Sequence, residues 1–373
     1  KGFKVFDTIE MSNVNLILDA SFTVMAKRKF ILRDTFMIVE NDTMTMDRIA
    51  ELHGHQPDTI VYIDDVVSRW VNDTIKSSIK PFFETLRQIV KITEVDVAGD
   101  SSITNLNPLA ELSDLRYLNC SGTEVSDINP IRNLNKIKEM DISNTNITDV
   151  SNLKYANVVQ SFKADNVKIN DISIVAFYKD LNNLSISNTN VSDINPLARC
   201  NNLSTLDLSG TQVNDLSILR NLLKLHDIDI SNTFVDDLSS LQGLVNLHFL
   251  NLEGSQVTDL SPLANLDELT EINFSNTKVA NIDVLNNMPH LRKVYCDNSL
   301  VSKEDINKFK SQNPNVLVIN ESSALAAWWN ELPSFWKSLL IEQTNTNIIP
   351  SKEELHAIIN VKSLKVNHFI QDA

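Results

Sequence analysis

The chain is poor in several things that carry chemistry. Its 373 residues include only three cysteines. They are too few and too scattered for a disulfide framework or a zinc site. With seven glycines in all, there is no glycine-rich phosphate loop, and no nucleophile elbow appears either. No apolar run approaches the roughly 18 residues of a membrane helix. Basic residues are outnumbered, 33 Lys and Arg against 48 Asp and Glu, for a net charge of −15. That balance, with no Lys/Arg stripe, opposes binding to a phosphate backbone and leaves nucleic acid out of the expected partners. A protein partner with a basic face suits it better. The seven histidines do not cluster along the sequence, where His53 and His55 form the lone close pair. No residues stand out as catalytic, no metal site is indicated, and no cofactor is expected.

What the chain does have is a period. Leu118, Met140, Phe162, Leu184, Leu206, Ile228, Leu250, Ile272 and Val294 follow one another at 22-residue intervals without a slip. Each sits in the frame L-x-x-L-x-L-x-x-T-x-V-x-D-L-x-x-L, and Leu203, Leu206, Leu208, Thr211, Val213, Asp215, Leu216 and Leu219 form its clearest copy. An earlier unit from Ile92 to Asp114 fits with one residue inserted, making about ten units in all. The L-x-L alternation predicts a short strand with one apolar side. One unit cannot bury its leucines alone, but stacked units bury them as continuous columns.

Four further columns accompany the aliphatic ones. Asn107, Asn129, Ser151, Ser173, Asn195, Ser217, Ser239, Ser261 and Asp283 are residues that favour helix N-caps, and Pro108, Pro130, Pro196 and Pro262 follow directly. A short helical turn per repeat is therefore expected, on the convex side. Thr123, Thr145, Thr189, Thr211, Thr233, Ser255, Thr277 and Ser299 place a hydroxyl where it can bond the backbone of the bend. Val167 breaks that column in the unit that also holds Phe162 and Ala164, so a local irregularity is expected there. Asp127, Asp149, Asp171, Asp193, Asp215, Asp237 and Asp259, with Asn281 next, read either as a row of cation sites or as Asx-type turns. The turns are favoured, because a calcium site needs several oxygens converging on one point. Cys120, Cys200 and Cys296 fall on leucine columns several repeats apart, as buried thiols do.

The stretches LDLSGTQVNDLSIL and LNLEGSQVTDLSPL resemble the 22-residue leucine-rich repeats of bacterial internalins and the related SDS22-like class. The resemblance covers about residues 92–320, with Thr in the bend column where family members carry Asn. It implies an α/β solenoid, a leucine-rich-repeat right-handed superhelix with a parallel concave sheet, preceded here by a small α+β N-terminal domain. It also implies a concave face that binds a protein, and a place at the cell surface or outside the cell. A cytoplasmic location is the alternative.

The strand positions expected to point outward on that face include Tyr117, Asn119, Glu139, Asp141, Lys163, Asp207, Asp227, Asp229, Phe249, Asn251, Glu253, Glu271, Asn273 and Tyr295. Of these, Tyr117, Asp207, Asp227, Asp229, Phe249, Asn251, Glu253, Glu271 and Tyr295 are the candidate partner-binding residues. Aromatics among acids can anchor a partner; a merely solvated sheet face is the alternative.

The flanks carry no repeat. Phe3–Met11, Val14–Met25 and Phe30–Val39 read as strands, and Thr43–Gly54 and Val66–Ile92 as helices, so residues 1–91 form an N-terminal α+β domain or cap. The run from Asp19 to Thr23 partly matches the D-x-S-x-S metal motif of von Willebrand A domains. Chance supplies such a match in a chain rich in Asp, Ser and Thr, and the segment is short for that fold. Past the array, Ser302 and Asp305 open a helix, and Val316–Ile319 form a closing strand, completing residues 92–320. Residues 321–373 hold an aromatic helical stretch (Trp328, Trp329, Leu332, Phe335, Trp336) interrupted by Pro333, which packs as core or serves as a docking patch. A helix opened by Ser351 and Glu354 follows, then a strand-like Ser363–Val366. This tail resembles the start of a second repeat array, so a longer natural chain is expected. A non-enzymatic binding scaffold is the leading reading. The rivals are a structural subunit of a larger cell-envelope assembly, or the binding module of an enzyme whose catalytic domain lies at residues 1–91 or outside this segment.

Overall fold

The computed structural model describes residues 92–361 apart from 111, residues 363 and 364, and seven short strands between residues 4 and 63. The two helices expected in 43–92 and the pair His53 and His55 lie outside the described residues, as do Ala20 and Ser21 of the partial metal motif. The chain divides into two compact units, Lys1–Leu203 and Ser204–Ala373.

In the first unit the three sequence-predicted N-terminal stretches each become two strands. These are β1 (Lys4–Phe6), β2 (Ile9–Met11), β3 (Val14–Asp19), β4 (Phe22–Ala26), β5 (Phe30–Leu32) and β6 (Thr35–Val39). β3 and β4 pair antiparallel, as do β2 with β5 and β1 with β6, and β6 also pairs in parallel with β7 (Thr59–Ile63). The repeats then supply β8 (Glu94–Asp96), β9 (Tyr117–Asn119), β10 (Glu139–Asp141), β11 (Ser161–Lys163) and β12 (Asn183–Ser185), joined in parallel and in register. The second unit continues the repeat with β13 (Thr205–Asp207), β14 (Asp227–Asp229), β15 (Phe249–Asn251), β16 (Glu271–Asn273), β17 (Lys293–Tyr295) and β18 (Leu317–Ile319), again parallel.

The central residue of each repeat strand is buried, and the predicted aliphatic columns are the core: Leu118, Leu184, Ile228, Leu250, Ile272 and Val294 are all 0% exposed. Burying one such side chain contributes about 1.5–3 kcal/mol. The strands stop after three residues because the chain bends at a left-handed residue. Gly122, Asn144, Asn166, Asn188, Gly210, Asn232, Gly254, Asn276 and Asn298 all have φ between +54° and +68°. Only Gly and Asn adopt that region readily, and nothing else occupies this column. Gly254 has a second reason, since a Cβ there would lie 2.5 Å from Asn232 Oδ1. The Thr hydroxyls close the bend as expected, donating to the carbonyl three residues back at 2.6–2.8 Å in Thr123, Thr145, Thr189, Thr211, Thr233 and Thr277. Ser255 is the exception: its buried hydroxyl makes no bond.

The helical turn of each repeat is a 3-10 turn, such as Asn129–Ile131 in the first unit and Ser217–Asn221 in the second. The Ser/Asn column begins these turns but does not cap them with its side chains, contrary to the sequence expectation. The Asp column does that work instead. Asp127, Asp149, Asp171, Asp193, Asp215, Asp237 and Asp259 each accept the backbone N–H two residues on, at 2.7–2.9 Å. Most also accept from the side chain there, as Asp259 does from Ser261 Oγ at 2.6 Å. These are the Asx turns the sequence favoured. The bonds from Ser151 and Ser239, backbone first, hold the Asp149 and Asp237 carboxyls below the usual range, and the Ser261 hydroxyl and N–H do the same for Asp259.

The irregularity expected around Phe162 and Val167 is confined to side chains, since β11 keeps its register with both neighbours. Tyr178 fills the column between Ala156 and Cys200, packs edge-on to Phe162 with centroids 6.1 Å apart, and donates its hydroxyl to Leu153 O at 3.2 Å. Burial pushes that phenol's pKa up. The three cysteines are free and buried. Burial is the main cause raising Cys120 and Cys296 to about 12 and Cys200 to about 11.

Beyond the repeats, α1 (Lys303–Gln312) opens with Ser302 accepting from Asp305 N at 3.1 Å. Pro333 divides the aromatic stretch into α2 (Ser322–Glu331) and α3 (Ser334–Thr344), and α4 (Lys352–Ile359) carries the predicted capping box of Ser351 and Glu354. Trp329, Leu340, Leu355 and Ile358 form a small core. Trp328, Phe335 and Trp336 remain 37–44% exposed, so the aromatic stretch is part core and part surface. These helices are fastened to the last repeats by Asp297, which accepts from Ser322 N and Oγ at 2.7 and 2.6 Å, and by the buried His356, whose Nε2 accepts from Asn320 N at 3.0 Å. Among the described residues no helix is long and apolar enough to cross a membrane.

Candidate functional site

Eight of the nine candidate residues lie in the second unit, and Tyr117 lies in the first. Tyr117 is half-buried on β9, in register between Glu94 of β8 and Glu139 of β10. In the second unit the strand register builds two rows. One runs Asp227, Phe249, Glu271, Lys293, and the other Asp207, Asp229, Asn251, Asn273, Tyr295. All nine side chains on these rows are half-buried. Adjacent strands lie about 4.8 Å apart, so Phe249 has a carboxylate on either side.

The two rows differ in how they are committed. The second row serves the fold. Asp207, Asp229 and Asn251 each accept the backbone N–H two residues on, at 2.9, 2.9 and 3.1 Å. Asn251 Nδ2 also donates to Asp229 Oδ2 at 2.8 Å. Glu253, just past β15, takes Asn273 Nδ2 at 3.0 Å and Asn276 Nδ2 at 2.9 Å. Tyr295 is not a free anchor, for its hydroxyl is shared with Glu271 and with Glu353 of α4. Burial, then the Glu271 charge, pushes that phenol up. Burial works against the Glu353 charge, yet bonds from Ser351, its own backbone and Tyr295, with Lys293 nearby, hold that carboxyl low.

The first row is more open. Asp227 meets His226 Nδ1 at 3.0 Å and Glu271 meets Lys293 Nζ at 3.2 Å, both across partly exposed pairs. Beside Phe249 lies a feature that sequence reading missed. His226 and His248 stand one repeat apart and stack with ring centroids 3.8 Å apart and planes at 15°. Distance along the chain hid them; asking which residues share a 22-residue column would have found them. Nδ1 of His248 lies 2.7 Å from Asn246 O, and its Nε2 lies 3.9 Å from Glu268. Among the described residues no group of three His, Cys, Asp or Glu side chains is arranged to hold a metal ion.

No protein-family model matches the chain, and no curated protein does. Solved structures do. An internalin (inlF) of Listeria monocytogenes is 23% identical, with 62% of this chain and 81% of that one covered and a TM-score of 0.46. Internalin C2 of the same organism is 29% identical, over 49% of this chain and 81% of that one, with a TM-score of 0.47. A leucine-rich-repeat protein of Leptospira interrogans is 12% identical over 62% and 73%, with a TM-score of 0.49. With its 22-residue period, in-register parallel strands, left-handed Gly/Asn bends and 3-10 turns, the chain is a leucine-rich-repeat solenoid, and the solved structures similar to it include internalins and other leucine-rich-repeat proteins.

Proposed function

We propose that this chain is a non-enzymatic scaffold that holds a protein partner on the strand face of its repeats, and that the partner presents a basic surface there. The observation that carries the reading is the open row of the second unit, where half-buried Phe249 sits between the carboxylates of Asp227 and Glu271. An aromatic ringed by charge of one sign gives a desolvated anchor and electrostatic steering together. Exposure at a bacterial cell surface, implied by the internalin resemblance, belongs to the same proposal. So does the division into an N-terminal segment 1–91, an array 92–320 and a helical segment 321–373.

The test is capture of a partner by the intact chain, followed by affinity measurements with variants. The informative substitutions are at Phe249 and Asp227, because Asp229 holds bonds that the fold uses. Phe249→Ala with Asp227→Asn should weaken capture at least tenfold, as loss of a hot-spot aromatic costs about 2 kcal/mol or more. Unchanged affinity would reject this face. The rival reading as a structural subunit is favoured by one observation, the exposed apolar side chains Trp328, Phe335, Trp336, Ile348 and Ile349 of the helical segment. A chain captured through those residues would support it.

A further inference from the structure

We infer that the face of the second unit selects arginine over lysine in its partner, the guanidinium stacking against the His226–His248 ring pair with its N–H groups on the flanking carboxylates. The inference rests on the basic-partner reading and specifies the chemistry of the contact.

Three observations support it. First, the two imidazoles are held in place before any ligand arrives. Nδ1 of His226 lies 3.0 Å from Asp227 Oδ1, Nδ1 of His248 lies 2.7 Å from Asn246 O, and the rings lie face to face at 3.8 Å. Second, the stack is accessible at its outer sides. The side chains are 47% and 33% exposed. Their neighbours in the same column are Ser204 and Thr270, as the bonds His226 N to Ser204 O and Thr270 N to His248 O show, and both are too short to cover a ring. Third, carboxylates stand at the stack: Asp227 Oδ1 lies 3.0 Å from His226 Nδ1 and Glu268 lies 3.9 Å from His248 Nε2, while Glu271 is the register partner of Phe249, one residue on from His248. Phe249, next in sequence to His248, pairs in register with Asp227 on the strand face.

A flat, delocalised cation fits this arrangement and a point charge does not. Guanidinium stacks on ring faces while its rim of N–H groups meets carboxylates in a fork, and it is more weakly hydrated than ammonium. Ammonium feels the carboxylates but gains little from the rings. Stacking of a cation on an exposed ring contributes about 0.5–1 kcal/mol, a two- to fivefold effect on affinity for each contact made.

The experiment measures binding of the full chain to two labelled octapeptides, all-arginine and all-lysine, by fluorescence anisotropy at one ionic strength. The arginine peptide should bind about fivefold more tightly. His226→Ala with His248→Ala, checked for intact folding by circular dichroism, should cut that preference below about twofold while leaving the lysine peptide nearly unaffected. Glu268→Gln with Glu271→Gln should weaken both peptides. Equal affinity of the unaltered chain for the two peptides would overturn the arginine inference and leave the basic-partner reading standing, as would a preference that survives loss of both imidazoles. Failure of both peptides to bind would overturn both.

Discussion

The repeats of the second unit and the helices that follow them bury apolar surface in different ways. In the repeats every aliphatic column is closed on both sides by its own copies, and Leu250, Leu252, Ile272 and Phe274 are all 0% exposed. The helices build a core from few residues, with Trp329 and Leu340 still 6% exposed, and leave Trp328, Phe335, Trp336, Ile348 and Ile349 in solvent. A periodic stack guarantees a partner for each side chain, whereas a one-off helical closure must find each contact separately. The difference sets where the molecule resists change and where it is open to association.

The largest test of that contrast is a pair of truncations. Leu250→Ala, in the middle of the stack, should cost about 3–5 kcal/mol, because rigid neighbours on both sides cannot collapse into the space. Leu340→Ala should cost nearer 2 kcal/mol, since the helices can shift to fill it. Urea midpoints at constant slope would measure both, and equal costs would remove the distinction. Gly254→Ala comes next. Its φ of +67° and the 2.5 Å approach of the added Cβ to Asn232 Oδ1 act together. The strain should cost on the order of 1–3 kcal/mol. By the same physics, Gly243, where an added Cβ meets nothing within 4 Å, should accept alanine with little loss.

How much of this was legible beforehand follows the same division. Burial at fixed intervals imposes residue identity, so the aliphatic columns, the bend hydroxyls and the Asp turns could be read from their period alone. The N-cap reading of the Ser/Asn column failed because the 3-10 turns start one residue earlier: the N–H groups of Leu219 and Leu241, which Ser217 and Ser239 would cap, donate to Leu216 O and Leu238 O, while Asp215 and Asp237 take the N–H groups of Ser217 and Ser239. The left-handed column was visible as an unbroken run of Gly or Asn every 22 residues, and its meaning is purely conformational. The candidate face was legible as a set of positions. Which of its groups serve the fold was not, because Asn251 to Asp229 and Tyr295 to Glu353 are contacts between different repeats or beyond them. The imidazole stack was hidden for the same reason.

The Asp turns also give the repeats a pH dependence set by equivalent carboxyls of successive turns, where the helices have Glu353 held low. Asp237 and Asp259 have carboxyls held below their unfolded value by Ser239 and Ser261. A depressed carboxylate contributes stability that is complete above the unfolded value, about pH 4, and is lost as pH falls through the lower folded value. Stability of the repeats should therefore drop on acidification below about pH 4, and Asp237→Asn with Asp259→Asn should flatten that limb in urea titrations at pH 3 and pH 7. An unchanged acid limb would show that these turns do not couple to folding.

The smallest expected effect runs the other way. Ser255 occupies the bend column, is 4% exposed, and has a hydroxyl without a partner. In the neighbouring repeats Thr233 and Thr277 each donate to the carbonyl three residues back at 2.6 Å. Ser255 N donates to Leu252 O at 3.0 Å, as Thr211 N does to Leu208 O at 3.2 Å in the bend where the Thr211 hydroxyl meets that same carbonyl at 2.6 Å, so the backbone here matches the Thr211 bend. A β-branched side chain restricts χ1, and at this position the restriction favours the rotamer in which the hydroxyl meets Leu252 O. Ser255→Thr should thus gain a hydrogen bond at a buried site and stabilise the chain by about 0.5–1.5 kcal/mol. A raised urea midpoint at unchanged slope would confirm the gain. A lowered one would mean that the repeat around Gly254 is packed too tightly for one more methyl group, and that even this periodic stack has a place where its copies are not interchangeable.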